Sequence, residues 1–423
     1  TSASYQHDFI KEAFVPKPKS NEVNNGRYYR LLKLCADVTE HYTNLRSIGA
    51  RDVQGETGSL LLVDCRSAAE RAVSIIPGSV PVSQITDADL SQPRMVVAYC
   101  CIGARASAWC NQQTNQGMWG FKLRYLIGGI AAWVHQEGQL VDPNTNQPTK
   151  SVHCWVPELA TFFPTGKDGV DCVVGPAEDD MAYAYEILQM ASDMRFARFQ
   201  NLAWEVRMRY WPGVFCLEAH DLKAKCATQQ KPAYLMVDCR TSEERQVSTL
   251  LTGLPLISAD EFRANAYAFL NGYDLIVTFC TIGGRSGIFS KKIVDELVES
   301  GYCTEDVLRR KIVNLLGGVA AWLHSKGALM TPNGEVTQEL HPWCRAFLDM
   351  LPIQGVRLVF DETKPVPQDA LTILAVQNSS PDKPENTQAA VPQKLLQMYN
   401  TIPPEVITDS LTRAMENCSG YED

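Results

Sequence analysis

The chain has no surplus of basic residues. Its 39 Lys and Arg stand against 48 Asp and Glu, for a net charge of −9, so the electrostatic footprint of a phosphate-backbone binder is missing and no nucleic-acid partner is expected. Long apolar runs are missing too. A bilayer-spanning helix needs roughly 20 apolar residues, and the longest stretches here, around 95–101 and 126–134, are short and interrupted by cysteine or glycine. A transmembrane segment is therefore not expected. There is no Cys-x-x-Cys pair and no Cys/His spacing of a zinc site, so no metal or other cofactor is expected.

Cysteine itself is not scarce. Of the 14 cysteines, Cys65, Cys100, Cys239 and Cys280 lie inside apolar runs rather than at framework spacing in loops, which points to a reducing compartment and to thiol chemistry. With 45% hydrophobic and 21% charged residues in 423, the chain can fill two or three cores. It begins Thr1-Ser2-Ala3-Ser4. That start suggests a processed N-terminus and an organelle, mitochondrion or plastid, as the expected location, with the cytoplasm as the alternative.

The sequence repeats itself. Leu62-Val63-Asp64-Cys65-Arg66, with Glu70 four positions after the arginine, returns as Met236-Val237-Asp238-Cys239-Arg240 with Glu244. Cys100-Cys101-Ile102-Gly103-Ala104-Arg105 returns as Cys280-Thr281-Ile282-Gly283-Gly284-Arg285, and Gly128-Gly129-Ile130-Ala131-Ala132-Trp133-Val134-His135 as Gly317-Gly318-Val319-Ala320-Ala321-Trp322-Leu323-His324. His153 and Trp155 match His341 and Trp343. Order is kept while spacing drifts, as expected of two copies of one domain.

Each copy reads as alternating strand and helix. Leu60 to Val63, Tyr234 to Val237, Met95 to Tyr99 and Leu275 to Phe279 are continuous apolar runs ending at Asp or next to Cys, the pattern of buried parallel strands. Phe289, Ile293 and Leu297 recur every four residues before Gly301, so a helix is expected from near Ser286 to near Ser300. The fold class is α/β, two domains each with a mostly parallel sheet flanked by helices, joined by a helical linker and followed by a C-terminal extension. The expected divisions are 1–45, 46–155, 156–213, 214–343 and 344–423. Within them, 21–46 reads as a helical lead-in and 177–210 as a long helix, whose arginines form a solvated face rather than an RNA surface. Residues 365–392 read as a linker, and 405–417 as an amphipathic helix that docks on its own chain or on a protein partner.

A cysteine at the end of a buried strand, followed by a glycine loop and a helix N-terminus, is surrounded by inward-pointing N–H groups that stabilise an anion. The thiols of Cys100 and Cys280 are accordingly expected to ionise below the free value of ~8.5, with Arg105 and Arg285 adding a cation. Such a thiolate suits attack on the outer sulfur of an anionic donor and storage of that sulfur as a persulfide. Both copies resemble rhodanese domains, the sulfurtransferase fold, on D-x-R-x-x-x-E, C-x-x-G-x-R and G-G-x-x-A-W taken in order. The resemblance implies Cys100 and Cys280 as persulfide-forming nucleophiles, with Cys101, Ile102, Gly103, Ala104 and Arg105, and Thr281, Ile282, Gly283, Gly284 and Arg285, holding the terminal sulfur. It also implies Asp64, Arg66, Asp238 and Arg240 near the loop mouth, either touching substrate or pairing as strand-to-loop ties. The implied partners are a small anionic sulfur donor, thiosulfate or 3-mercaptopyruvate, and a thiol or cyanide acceptor.

Two departures stand out. The family's G-H-I-P-G segment is Ser74-Ile75-Ile76-Pro77-Gly78 in copy one and degrades to Leu250-Leu251-Thr252-Gly253 in copy two. Tandem members commonly keep only the C-terminal cysteine, whereas this chain keeps both. A phosphatase of similar fold would need five residues between cysteine and arginine; four are present here. The rival of another class is a binding or structural module in a larger assembly. Beside Cys100, Cys101 either exchanges with a Cys100 persulfide or points into the core behind the loop.

Overall fold

In the computed structural model, residues 22–374 are described except for 40–41, 43–44, 57–59, 87, 90–93, 117–121, 168, 176–180 and 229–231. The amphipathic helix expected at 405–417 lies outside the described residues. The chain divides into two units, the first running to Ala191 and the second beginning at Ser192.

The first unit opens with helix α1 (Glu22–Thr39), followed by β1 (Ser47–Ile48), α2 (Ala50–Gly55), β2 (Leu60–Asp64), α3 (Ala68–Val73), β3 (Val80–Pro81), β4 (Met95–Tyr99), α4 (Ala104–Asn115), β5 (Leu123–Leu126) and α5 (Gly129–His135). Strands β1, β5, β4, β2 and β3 form, in that spatial order, a sheet in which every pair is parallel. Strands β2 and β4 need no alternation because both faces are covered; Val63, Val96, Val97 and Ala98 are all fully or nearly fully buried. A small parallel pair, β6 (Ser151–His153) with β7 (Asp171–Val173), encloses a 3-10 helix at Pro157–Phe162. The 30-residue helix α6 (Met181–Tyr210) then crosses the boundary between units.

The second unit repeats this plan with β8 (Cys216–Leu217), α7 (Ala219–Cys226), β9 (Tyr234–Asp238), α8 (Ser242–Val247), β10 (Leu256–Ser258), β11 (Leu275–Phe279), α9 (Gly284–Glu299), α10 (Glu305–Lys311), β12 (Ile312–Leu315) and α11 (Gly318–His324). Its sheet order, β8-β12-β11-β9-β10, matches the first strand for strand and is again all parallel. The strands sit where the apolar runs place them, and α9 covers the helix expected near 286–300. Closing the unit are β12's successors β13 (Glu339–Leu340) and β14 (Arg357–Leu358), a parallel pair around a 3-10 helix at Arg345–Met350, and finally α12 (Gln368–Leu374).

The structure departs from the expected divisions at three places. Residues 22–39 are no mere lead-in, since Leu31, Leu32, Leu34, Cys35 and Val38 are buried. Residues 156–213 are not a simple linker. Leu159, Phe162 and Phe163 are buried, and Phe199, Leu202, Ala203, Val206 and Trp211 belong to the core of the second unit. Nor does packing end at 343, because Phe347, Met350, Leu351, Ala370, Leu371 and Ile373 join that same core. The part of the expected 365–392 linker that is described thus contains a packed helix. Burial of these apolar side chains, at about 25 cal/mol per Å², decides the matter against a free linker.

These added segments are themselves repeated. Arg27, Arg30, Leu34 and Val38 on α1 recur at the same spacing as Arg195, Arg198, Leu202 and Val206 on α6. The Asn24 side chain accepts from the Thr165 amide at 2.9 Å in the first unit, and the Ser192 hydroxyl accepts from the Ile353 amide at 3.1 Å in the second. Tyr28 lies against His135, as Phe196 lies against His324, with ring centroids 5.1 and 4.7 Å apart.

Candidate functional site

The D-x-R-x-x-x-E stretch folds into a chain of buried polar contacts. Asp64 ends β2, and its carboxylate accepts from the Arg66 amide (3.0 Å), Arg66 Nε (3.0 Å) and Arg66 Nη2 (2.7 Å). Nη2 also donates to the Ser74 carbonyl at 2.7 Å. Three residues on, Ser67 caps α3 by accepting from the Glu70 amide, while Glu70 Oε2 accepts from the Ser67 amide at 2.9 Å, a reciprocal capping box. The second unit repeats every step: Asp238 with Arg240, Arg240 with the Ser248 carbonyl, and Thr241 with Glu244. Arg66 and Arg240 are therefore buried structural ties between strand and turn. Of the two roles open to them in the sequence, the geometry is that of ion pairing, and neither arginine reaches solvent at the loop mouth.

The acidic residue of the motif has a second task. Glu70 takes Arg105 in a bidentate pair, Nη1 at 2.6 Å and Nη2 at 2.7 Å, and Glu244 takes Arg285 at 2.8 and 2.7 Å. Fork-to-fork contacts of this kind are among the strongest hydrogen bonds a side chain makes. Above each guanidinium lies an indole, Trp155 at 4.0 Å over Arg105 and Trp343 at 3.8 Å over Arg285. Both tryptophans hold left-handed backbone conformations, φ 67° and 69°. Their amides donate to Nδ1 of His153 and His341 at 3.1 Å. The recurrence of His-x-Trp was visible in the sequence, but its role as a lid on the arginine was not.

Burial raises the Glu244 carboxyl, yet the Arg285 hydrogen bonds and charge, with help from Thr281, outweigh it and bring the group down to about 2. Glu70 moves down under the same opposing influences. The loop arginines are thus neutralised by a buried partner.

In the first cysteine loop the Gly103 amide donates to Cys100 Sγ at 3.2 Å, and Gly103 takes φ 99° to turn inward. The loop is held from behind by α5, whose Ile130 and Ala131 amides donate to the Cys100 and Cys101 carbonyls at 2.8 and 3.2 Å. Val319 and Ala320 do the same for Cys280 and Thr281, both at 2.9 Å. The glycine pair of G-G-x-x-A-W follows from this contact. A Cβ on Gly129 or Gly318 would overlap the carbonyl oxygen of Cys100 or Cys280. The histidine that ends each motif is structural: His135 and His324 donate from Nε2 to the Phe162 and Met350 carbonyls, and burial pushes both down to about 4.

Cys100, Cys101, Cys280 and Thr281 are all fully buried. Burial raises the Cys101 thiol well above the ordinary range. Thr281 in the same place donates to Glu244 at 2.5 Å. Ile102, Ala104 and Ile282 pack into the core, and Gly284 lies under Ile373 of α12. Cys35 of α1 approaches the first loop, accepting from the Gly128 amide at 3.2 Å.

Residues 50–136 match the rhodanese-like domain family. The rhodanese-like segment thus spans the first Asp–Arg motif, the Cys100 loop and the G-G-x-x-A-W helix. Solved structures similar to the chain include a rhodanese-like domain protein from Staphylococcus aureus, 26% identical over 29% of this chain and 99% of its own, with a TM-score of 0.20. Another is a thiosulfate sulfurtransferase from Pseudomonas aeruginosa, 17% identical over 68% of this chain and 46% of its own, TM-score 0.22. A third is a protein of unknown function from Rhodopseudomonas palustris described as a possible tyrosine phosphatase, 20% identical over 25% and 91%, TM-score 0.21. No curated protein sequence matches the chain. Among the described residues, no group of three or more His, Cys, Asp or Glu is placed to hold a metal, and no helix is long and apolar enough to cross a membrane.

Proposed function

We propose that the chain is a tandem rhodanese-type sulfurtransferase that moves sulfane sulfur from a small anionic donor of the thiosulfate or 3-mercaptopyruvate class to a thiol or cyanide, by way of persulfides on Cys100 and Cys280. The observation that carries this reading is the Gly103 amide aimed at Cys100 Sγ from a left-handed turn, a backbone donor positioned where a persulfide anion needs one. The equal sheet order and the shared Asp–Arg, Glu–Arg–Trp and Gly-Gly contacts support extending it to Cys280. A reducing organelle is the proposed compartment. The test is intact mass after exposure to thiosulfate and, separately, to 3-mercaptopyruvate. Wild-type protein should gain sulfur that cyanide releases, and the Cys100→Ser, Cys280→Ser double variant should gain none. Full sulfur transfer by the double variant would overturn the assignment.

A second reading has one observation in its favour: both loop thiols are fully covered, as in a binding or structural module. Absence of any sulfur adduct with both donors would favour it. A phosphatase reading lacks support, because both terminal nitrogens of Arg105 and of Arg285 are engaged by a buried glutamate and not turned toward an oxyanion.

A further inference from the structure

The first unit holds a pair of thiols outside the cysteine loop. Cys154 follows β6 directly and Cys172 is the central residue of β7. In the parallel register Val152 faces Cys172 and His153 faces Val173, so Cys154 and Cys172 project from the same face of the pair. Cys154 Sγ lies 3.5 Å from the carbonyl of Val173, the residue after Cys172, which keeps the two thiols on adjoining positions of that face.

The two thiols differ in environment. Cys154 is fully buried, next to the tryptophan that covers Arg105. Cys172 is half-buried, beside the exposed Val173 and Val174. The Cys154 hydrogen bond and the Arg27 charge lower the Cys172 thiol, while the same hydrogen bond and burial raise Cys154. Cys172 is thus the more exposed and more readily ionised thiol and Cys154 the covered one, the division of labour between an attacking and a resolving thiol. The second unit has no such pair. Pro342 stands between His341 and Trp343 where Cys154 stands in the first, and Leu358 occupies the β14 position of Cys172.

We propose that Cys154 and Cys172 form a second sulfur-handling site, a dithiol that takes sulfane sulfur from a small thiol persulfide and releases it as hydrogen sulfide. The proposal rests on the reading of the chain as a protein that handles sulfane sulfur. The Cys172 thiolate attacks the outer sulfur of R–S–SH; the donor S–S bond breaks, R–S⁻ leaves and takes up a proton, and Cys172 carries –S–SH. Cys154 then attacks Cys172 Sγ, the inner sulfur. The Cys154–Cys172 disulfide forms, the bond to the terminal sulfur breaks, and HS⁻ leaves with the remaining proton. The dithiol supplies the two electrons that reduce the sulfane sulfur, one turnover for each reduced pair.

The experiment treats the reduced full chain, without oxygen, with glutathione hydropersulfide, and reads sulfide release together with the sulfur content of each cysteine peptide. The expected result is sulfide accompanied by a linked Cys154–Cys172 peptide pair in the wild type. Cys154→Ser should stop at a Cys172 peptide heavier by one sulfur, and Cys172→Ser should leave Cys154 unmodified. If Cys100 or Cys280 gains sulfur while the Cys154 and Cys172 peptides stay reduced and unlinked, the dithiol is overturned and the sulfurtransferase reading stands. If the linked pair forms while neither loop cysteine gains sulfur, the dithiol stands and the loop assignment falls. If no cysteine gains sulfur or links, both fall. Because the decisive peptide pair is read in the wild-type chain, a variant that fails to fold leaves the test intact.

Discussion

The two units share a scaffold and differ in what lies behind the scaffold's cysteine. Both keep the Asp–Arg tie, the capping box, the Glu–Arg–Trp stack and the glycine that lets α5 or α11 touch the loop. Behind Cys280 the second unit has a buried polar network. The Thr278 and Ser290 hydroxyls are 2.7 Å apart, Ser286 donates to Asn314 Oδ1 at 2.7 Å, and Asn314 Nδ2 donates to the Gly283 carbonyl at 3.0 Å. The first unit has Ala98, Cys110, Ala106 and Tyr125 at the matching positions, all buried. One loop is thus fixed by directional hydrogen bonds and the other by packing of thiols, methyls and a ring. The lesson is that the contacts in front of the loop define the domain, while the layer behind it is free to diverge.

The widest test of the shared part is removal of the glutamate. Glu70→Ala and Glu244→Ala each leave a buried arginine without its partner and delete a capping box, so each should destabilise its own unit by ~3–5 kcal/mol. Chemical denaturation with a reporter in each unit measures this. A loss below 1 kcal/mol in one unit only would show that the two stacks are not equivalent.

The unshared layer predicts asymmetry. Asn314→Ala removes one of the donors to the Gly283 carbonyl and the acceptor of the short Ser286 bond and should cost ~1–2 kcal/mol, whereas Tyr125→Phe, whose hydroxyl is 3.4 Å from Thr39 Oγ1, should cost less than about 1 kcal/mol. Equal losses would erase the distinction between a hydrogen-bonded and a packed loop.

Acid acts on both units. His135 and His324 are held near 4 by burial, below their unfolded value, so the stability they contribute is full above pH ~6.5 and lost as pH falls toward 4. Glu244, at about 2, adds stability present above the unfolded carboxylate value and lost as pH falls through 2. Urea midpoints measured from pH 7 to 2.5 should decline in two stages, with contributions on the order of 1–3 kcal/mol for each group. Replacing both histidines with glutamine should flatten the upper stage; an unchanged upper stage would remove the histidines as its cause.

The smallest effect concerns cover. Ile373 of α12 sits on Gly284, and the Tyr210 hydroxyl donates to the Thr372 carbonyl at 3.0 Å beside a pocket that Arg285 also lines. A chain ending at Pro367 should alkylate at Cys280 about tenfold faster, an opening worth ~1.4 kcal/mol, with Cys100 unchanged. Equal acceleration at both cysteines would mean general loosening rather than an uncovered second loop.

Much of this scaffold is legible in the residues. Continuous apolar runs ending at Asp64, Asp238, Cys100 and Cys280 place four strands, because a strand covered on both faces has no polar side to alternate with. The glycine pairs and the Asp-x-Arg stretches point to the loops for the same reason, since few residues other than glycine fit where backbone meets backbone. The outer parts escape such reading. Helix α1 and the second half of α6 match only in Arg27, Arg30, Leu34 and Val38 and their counterparts, a pattern diluted by Cys35 against Ala203 and Asn24 against Ser192. The segments after Trp155 and Trp343 fold as 3-10 helices of six residues each, too short for a period to stand out in the residues. Nor does a sequence disclose that Arg105 is already spoken for by Glu70, because that contact joins residues on separate elements.

The boundary between units, at Ala191 and Ser192, falls within α6 rather than in a loop. Ala184, Ile187 and Leu188 on its first part are buried, and Phe199, Leu202 and Val206 on its later part belong to the core of the second unit. A fragment cut at this point keeps about three turns of helix on the first side, near the limit at which an isolated helix holds together. The same continuity orders the birth of the protein. As the chain leaves the ribosome, the helix that completes the first unit is still being extended by residues that open the second, so maturation of one overlaps in time with nucleation of the other.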